Sequence, residues 1–202
     1  MKYSMHYSYR GIGDVLLIIF NNSLTMTRKE NHGRIVAIYH DDELIGYNIF
    51  DIKEIIKIKS EGMIYLPNPA LIEVINSMLI NEKLPTLEPF EESGYVIGEV
   101  VDAIPLDDVK TFVTVNLETE YASVIVKDNS LNIGDKVVVA KVGTRLSSGD
   151  TVKEGNMDGT LLNGHICTNR DLGIKENEDK ITLLDTNAIN GKDFFSLEGG
   201  TR

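Results

Sequence analysis

Apolar and polar residues trade places in short runs through the first half of the chain: MHYSYR (5–10), DVLLIIF (14–20), RIVAIYH (34–40) and ELIGYNIF (43–50). Polar turns (NNS, ENHG, a pair of aspartates) separate them. Such runs, rich in β-branched and aromatic residues, predict antiparallel strands. The pattern then changes. In LPNPALIEVINSMLINEK (66–83), Leu71, Val74, Ile75, Met78 and Leu79 recur at three- and four-residue spacing, and Pro69 suits a first helical turn. One helix should lay that face on the sheet, giving a small α+β domain over residues 1–88.

The stretch LPTLEPFEESG (84–94) breaks the periodicity with prolines, glutamates and a glycine, which predicts an exposed boundary segment that packs little. Beyond it, YVIGEVVDA, KTFVTVNLE, YASVIVK and DKVVVAKV follow one another between turns. Regular short strands with little helix predict an all-β barrel or sandwich for residues 89–202. The segment NMDGTLLNGHICTNRDLG (156–173) is too irregular for a long helix or strand, and no internal repeat relates the halves.

Composition narrows the class. With 202 residues and 42% apolar content the chain can bury a core in one large or two small domains. Its run Val15 to Phe20 falls far short of the ~20 residues of a membrane span, and the opening residues lack the pattern of a secretory signal, so a cytoplasmic protein is expected. The single cysteine excludes an intramolecular disulfide and an all-cysteine metal site. Charge argues against polyanions: 20 basic residues face 31 acidic ones, a net charge of −11. A local basic stripe could still act, since salt screens distant charges over ~8–10 Å.

Candidate chemistry is sparse. GIGDV (11–15) lacks a third glycine and precedes a strand rather than a helix, so it reads as a turn. His165 and Cys167 alternate but lack further ligands for zinc and a third group for catalysis. His32, His40 and Asp41 are the only reagents an editing or hydrolytic site in the first domain could use, and no spacing supports them. Tyr3, Tyr7 and Tyr9 read as packing aromatics. No enzyme, cofactor or metal is expected.

One succession in the second half carries more. VIGEVVDA, TFVTVNL, SVIVKDN, IGDKVVVAKVGTRL and MDGTLLNGHICTNRDLGI follow in that order. They resemble the tRNA-binding domain of the bacterial phenylalanyl-tRNA synthetase β subunit and of free-standing tRNA-binding proteins. The likeness is closest at Gly159, at Asn163 to Cys167 and at Asp171-Leu172-Gly173, and the tail KITLLDTNAINGKDFFSL resembles the closing strand and glycine turn. With the first domain included, the chain resembles the YtpR-type tRNA-binding proteins, whose amino-terminal domain has no assigned function. It departs from the pattern at Ile104, where relatives carry histidine before Pro105, and at His165, where they carry methionine.

The resemblance implies an oligonucleotide-binding (OB) barrel that binds tRNA or other structured RNA without catalysis, and free-standing relatives imply a homodimer. In such a barrel aromatics stack on bases, polar groups read edges and 2′-hydroxyls, and cations hold phosphate. The expected phosphate partners are Lys127, Lys141, Arg145, Lys153 and Arg170. Asn129, Asn163, His165 and Thr168 are the expected hydrogen-bonding groups, Gly164 admits close backbone approach, and Phe112 or Tyr121 offers a stacking surface. The competing expectation is a protein-interaction module that kept the barrel and lost RNA.

Overall fold

The computed structural model describes residues 3–59 and 61–196, which form two compact units dividing between Glu91 and Glu92.

In the first unit the alternating runs become strands, as their period demands: β1 (Ser4–Tyr7), β2 (Val15–Ile19), β3 (Arg28–His32), β4 (Ile35–His40), β5 (Glu43–Phe50) and β6 (Gly62–Ile64). They make one antiparallel sheet in the order β3-β4-β5-β2-β1-β6. A short helix, α1 (Tyr9–Ile12), turns the chain between β1 and β2 at the GIGDV segment, with Gly13 at φ 84°. The long helix α2 (Pro69–Asn81) starts where Asn68 caps it through the Ala70 N–H and Pro69 opens its first turn. It buries Leu71, Ile72, Ile75 and Leu79 in one cluster with Met5, Tyr7, Leu16, Ile18, Tyr47 and Ile49 of the sheet. Tyr3 and Tyr7 are core residues, whereas Tyr9 lies half exposed under the Lys53 ammonium.

Two features depart from the sequence reading. The helix buries Ile72 more deeply than Val74 or Met78, which stay partly exposed. The segment expected to pack little is instead sewn to this unit: Leu84 and Leu87 are buried, and Asn76 exchanges two hydrogen bonds with the Leu87 backbone. Tyr3 and Tyr47 donate to the carbonyls of Glu88 and Pro85. The prolines interrupt the periodicity without keeping Leu84 and Leu87 out of the core.

The second unit is built from β7 (Tyr95–Pro105), β8 (Thr111–Asn116), β9 (Tyr121–Val126), β10 (Lys136–Lys141), β11 (Gly155–Met157), β12 (Thr160–Leu162), β13 (Gly164–Ile166) and β14 (Leu183–Leu184). The main sheet runs β13-β10-β7-β8-β9, all antiparallel, with β14 added to β10 and a separate β11-β12 hairpin. A bulge at Val101 bends the long strand β7. Val100, Val113, Val115, Val124, Val137, Val139 and Ile166 fill the core from successive strands. Strand pairing does not close this sheet into a barrel: β9 and β13 are its two ends. They approach at Asn163, whose backbone N–H donates to the Ser123 carbonyl at 3.1 Å.

Candidate nucleic-acid interface

Alternation along β8 and β9 decides what faces outward. Val113 and Val115 point into the core, so Phe112, Thr114 and Asn116 point away from it; Ala122, Val124 and Val126 point in, so Tyr121, Ser123 and Ile125 point out. The register sets Phe112 opposite Ile125, Thr114 opposite Ser123 and Asn116 opposite Tyr121. Phe112 also faces Ile104 on β7. Tyr121 is 60% exposed and Phe112 lies outside the core cluster, so both aromatics offer ring surface to solvent. Lys127 follows β9 two residues after Ile125 and is exposed.

The next side of this face is made by the irregular segment 156–173. Asn163 accepts the Ser123 N–H on its Oδ1 at 2.8 Å and donates from Nδ2 to the Tyr121 carbonyl at 3.0 Å. Gly164 is there for space: a Cβ would stand 2.9 Å from Val139 Cγ1 and 3.3 Å from Ala122 Cβ. His165 points its Nε2 at Asp171 Oδ2, 3.0 Å away, and Thr168 brings both its N–H and its hydroxyl to the same oxygen at 2.9 Å. Burial pushes the Asp171 carboxyl up, but the hydrogen bonds from His165 and Thr168 outweigh it and hold the group below the usual carboxylate range. Cys167 is buried, which pushes its thiol well up with help from the Asp171 charge; it is no nucleophile.

The cations are less uniform. Lys127 and Lys153 are exposed and form no ion pair among the described residues. Lys141, ending β10, pairs with Glu120 at 2.5 Å. Arg170 reaches Asp179 at 2.8 Å and Glu178 at 3.5 Å. Arg145 is half-buried, which pulls its guanidinium below the usual value, and its backbone bridges to Thr151. Asn129 is engaged with the hairpin joining β7 and β8, accepting from the Thr111 hydroxyl and donating to the Asp107 carbonyl at 3.3 Å. Asn163, Gly164, His165 and Thr168 thus come together in one segment, whereas Asn129 serves a different turn. Sequence reading missed the carboxylates: Glu120, Asp171, Glu178 and Asp179 each hold a predicted residue. Asp171 alone had a signal, its place in the closing motif.

Among the described residues no group of three or more His, Cys, Asp or Glu side chains is placed to hold a metal ion, and no helix is long and apolar enough to cross a membrane.

Known proteins resemble this chain over both units. A Bacillus subtilis (strain 168) protein, YtpR, provisionally named as tRNA-binding, is 30% identical over 181 residues, covering 84% of this chain and 87% of that protein. The chain belongs to the YtpR family. Residues 23–86, within the first unit, match a family described as a domain of unknown function, DUF4479. An uncharacterized protein of Mycoplasma genitalium, MG449, is 26% identical over 194 residues, with 89% of this chain and 81% of that protein covered. The phenylalanine–tRNA ligase β subunit of Bacteroides fragilis is 34% identical over 114 residues. That match takes in 52% of this YtpR-family chain and only 14% of the ligase subunit.

Proposed function

We propose that the protein is a non-catalytic tRNA-binding protein whose second unit works as an OB-type barrel, closed where Asn163 fastens the end of β13 to β9. The observation that carries this reading is the outward face of β8 and β9, where Phe112 and Tyr121 stand free of the core with Thr114, Ser123 and Asn116 between them and Lys127 in line. Bases stack on such rings, hydroxyl and amide groups read edges, and the lysine meets phosphate. The tRNA-binding name of the Bacillus subtilis relative and the synthetase subunit among the relatives support the same ligand.

The net charge of −11 does not forbid it. Exposed ion pairs such as Lys141–Glu120 are worth little, so a phosphate can replace the carboxylate at small cost. The test is an electrophoretic shift with total tRNA at low and moderate salt. The double variant Lys127→Ala, Lys153→Ala should weaken binding and flatten the log–log salt slope by about 0.7 for each phosphate that is no longer neutralised. Absence of a shift at micromolar protein overturns the reading.

A protein-interaction module is the second reading, favoured by the carboxylates already paired with Lys141 and Arg170 and by exposed Ile104, Leu106 and Val109 at the β7-β8 hairpin. It stands if tRNA gives no shift at low salt.

A further inference from the structure

We propose that Asp171 sets His165 as a hydrogen-bond acceptor for a ribose 2′-hydroxyl, so that this pair makes the protein favour RNA over DNA of the same sequence. The inference rests on the RNA-binding reading above and adds a chemical role for one side chain of that interface.

The carboxylate comes first. Asp171 is 8% exposed, and its Oδ2 takes three donors: the Thr168 N–H, the Thr168 hydroxyl and His165 Nε2. An ionised carboxylate accepts only, so the imidazole hydrogen must sit on Nε2. A neutral imidazole then carries its lone pair on Nδ1. A second group that fixes one ring nitrogen thereby fixes what the other can do. Nδ1 has no hydrogen-bond partner among the described residues, and the side chain is 39% exposed. In the neutral ring it is therefore a preset acceptor at the surface.

Its place matters as much as its tautomer. His165 is two residues beyond Asn163, which is bonded to the backbone of Ser123 and Tyr121 along the edge of β9, and it alternates with the core residue Ile166, so it lies on the outer side of β13. An acceptor beside a base-stacking face meets the sugar edge of the strand lying there. A 2′-hydroxyl can donate to it, whereas the 2′ carbon of DNA cannot. Asn163 is not a rival for this task, because its amide is already spent on the strand.

The experiment compares binding of a tRNA transcript and the all-deoxy oligonucleotide of identical sequence to the full chain, with imidazole ¹⁵N NMR as a second readout. In wild type the spectrum should show the Nε2–H tautomer. Asp171→Ala removes the acceptor that holds the hydrogen on Nε2, so the Nδ1–H tautomer should gain population at the expense of the acceptor. Both Asp171→Ala and His165→Ala should then lower the RNA-to-DNA affinity ratio, His165→Ala by about five- to tenfold. If Asp171→Ala does not fold, His165→Ala decides, because that side chain is partly exposed. A ratio unchanged in the variants while wild type still binds tRNA overturns the inference and leaves the RNA reading standing. A wild-type ring that carries hydrogen on Nδ1, whether as the other tautomer or as the imidazolium, overturns it too, and a wild type that binds no tRNA overturns both.

Discussion

Asn163 takes the place of a strand partner for Ser123: its side-chain Oδ1 accepts the Ser123 N–H at 2.8 Å while its backbone N–H donates to the Ser123 carbonyl at 3.1 Å. One residue thus satisfies both backbone groups of an edge position that has no ladder neighbour on that side. Asn163→Ala leaves the Ser123 N–H and the Tyr121 carbonyl without the side-chain amide, and should cost about 1–3 kcal/mol. For a unit of this size each kcal/mol lowers the Tm by roughly 4–8 °C. Thermal unfolding by circular dichroism checks it, and an unchanged Tm would show that water replaces the amide at no cost.

Gly164 tests how tightly the start of β13 is packed. Gly164→Ala places a methyl 2.9 Å from Val139 Cγ1, inside a core where Val139 is fully buried and cannot easily yield. The expected destabilisation is about 1–3 kcal/mol. Val139→Ala removes the colliding methyl, so the double variant should be less destabilised than the sum of the singles in urea unfolding. Simple additivity would mean that the strain is relieved elsewhere.

The Asp171 carboxyl governs an acid-sensitive increment of stability. Its folded pKa lies below the unfolded value of about 3.9, so the increment is present above that value and is lost as pH falls through the folded one. Asp171→Asn should be less stable than wild type at pH 7, and the gap should close as the pH is lowered below about 4. Urea titrations along that range measure it; a gap independent of pH would assign the effect to Thr168 geometry alone.

At the alkaline end the phenols of the first unit take over. Burial pushes Tyr3 and Tyr7 up to about 12, assisted by the Glu88 charge for Tyr3 and by the hydrogen bond to Asp14 for Tyr7. Since an unfolded tyrosine titrates near 10, their contribution is complete below about pH 10 and disappears as pH rises towards 12. Tyr3→Phe should therefore flatten the fall in stability across that window. Ultraviolet phenolate absorbance should also show these two groups ionising late; titration near 10 in the folded protein would contradict their burial.

Glu120→Gln frees Lys141 from its 2.5 Å carboxylate partner and removes one negative charge. If this side of β10 meets RNA, tRNA affinity should rise several-fold at low salt and the salt slope should steepen. Fluorescence anisotropy with labelled tRNA reads both. No gain in affinity would place Lys141 outside the interface.

Much of the framework was legible in the order of residues. Period-two runs became strands, and the Asn68-Pro69 start with its three- and four-residue spacing became α2. These features are local: each depends on neighbours within a turn or a strand. RKENH (28–32) had no such signal, being polar throughout, and became β3 only because β4 offered it a ladder. Leu84 and Leu87 looked like linker residues because no periodicity marks them, yet the core had room for both.

What the amino-acid order determined by itself was the runs that became antiparallel strands, the start and spacing of the one long helix, and the segment that carries the family likeness. Tertiary structure decided the charge state of the surface and the direction of each recognition group. Lys141 meets Glu120 across 21 positions, and Arg170 meets Asp179 across nine, through folding rather than spacing. The reason is physical: periodicity reports which face of an element is apolar, but a cation or an imidazole takes its meaning from whichever carboxylate the folded chain sets beside it.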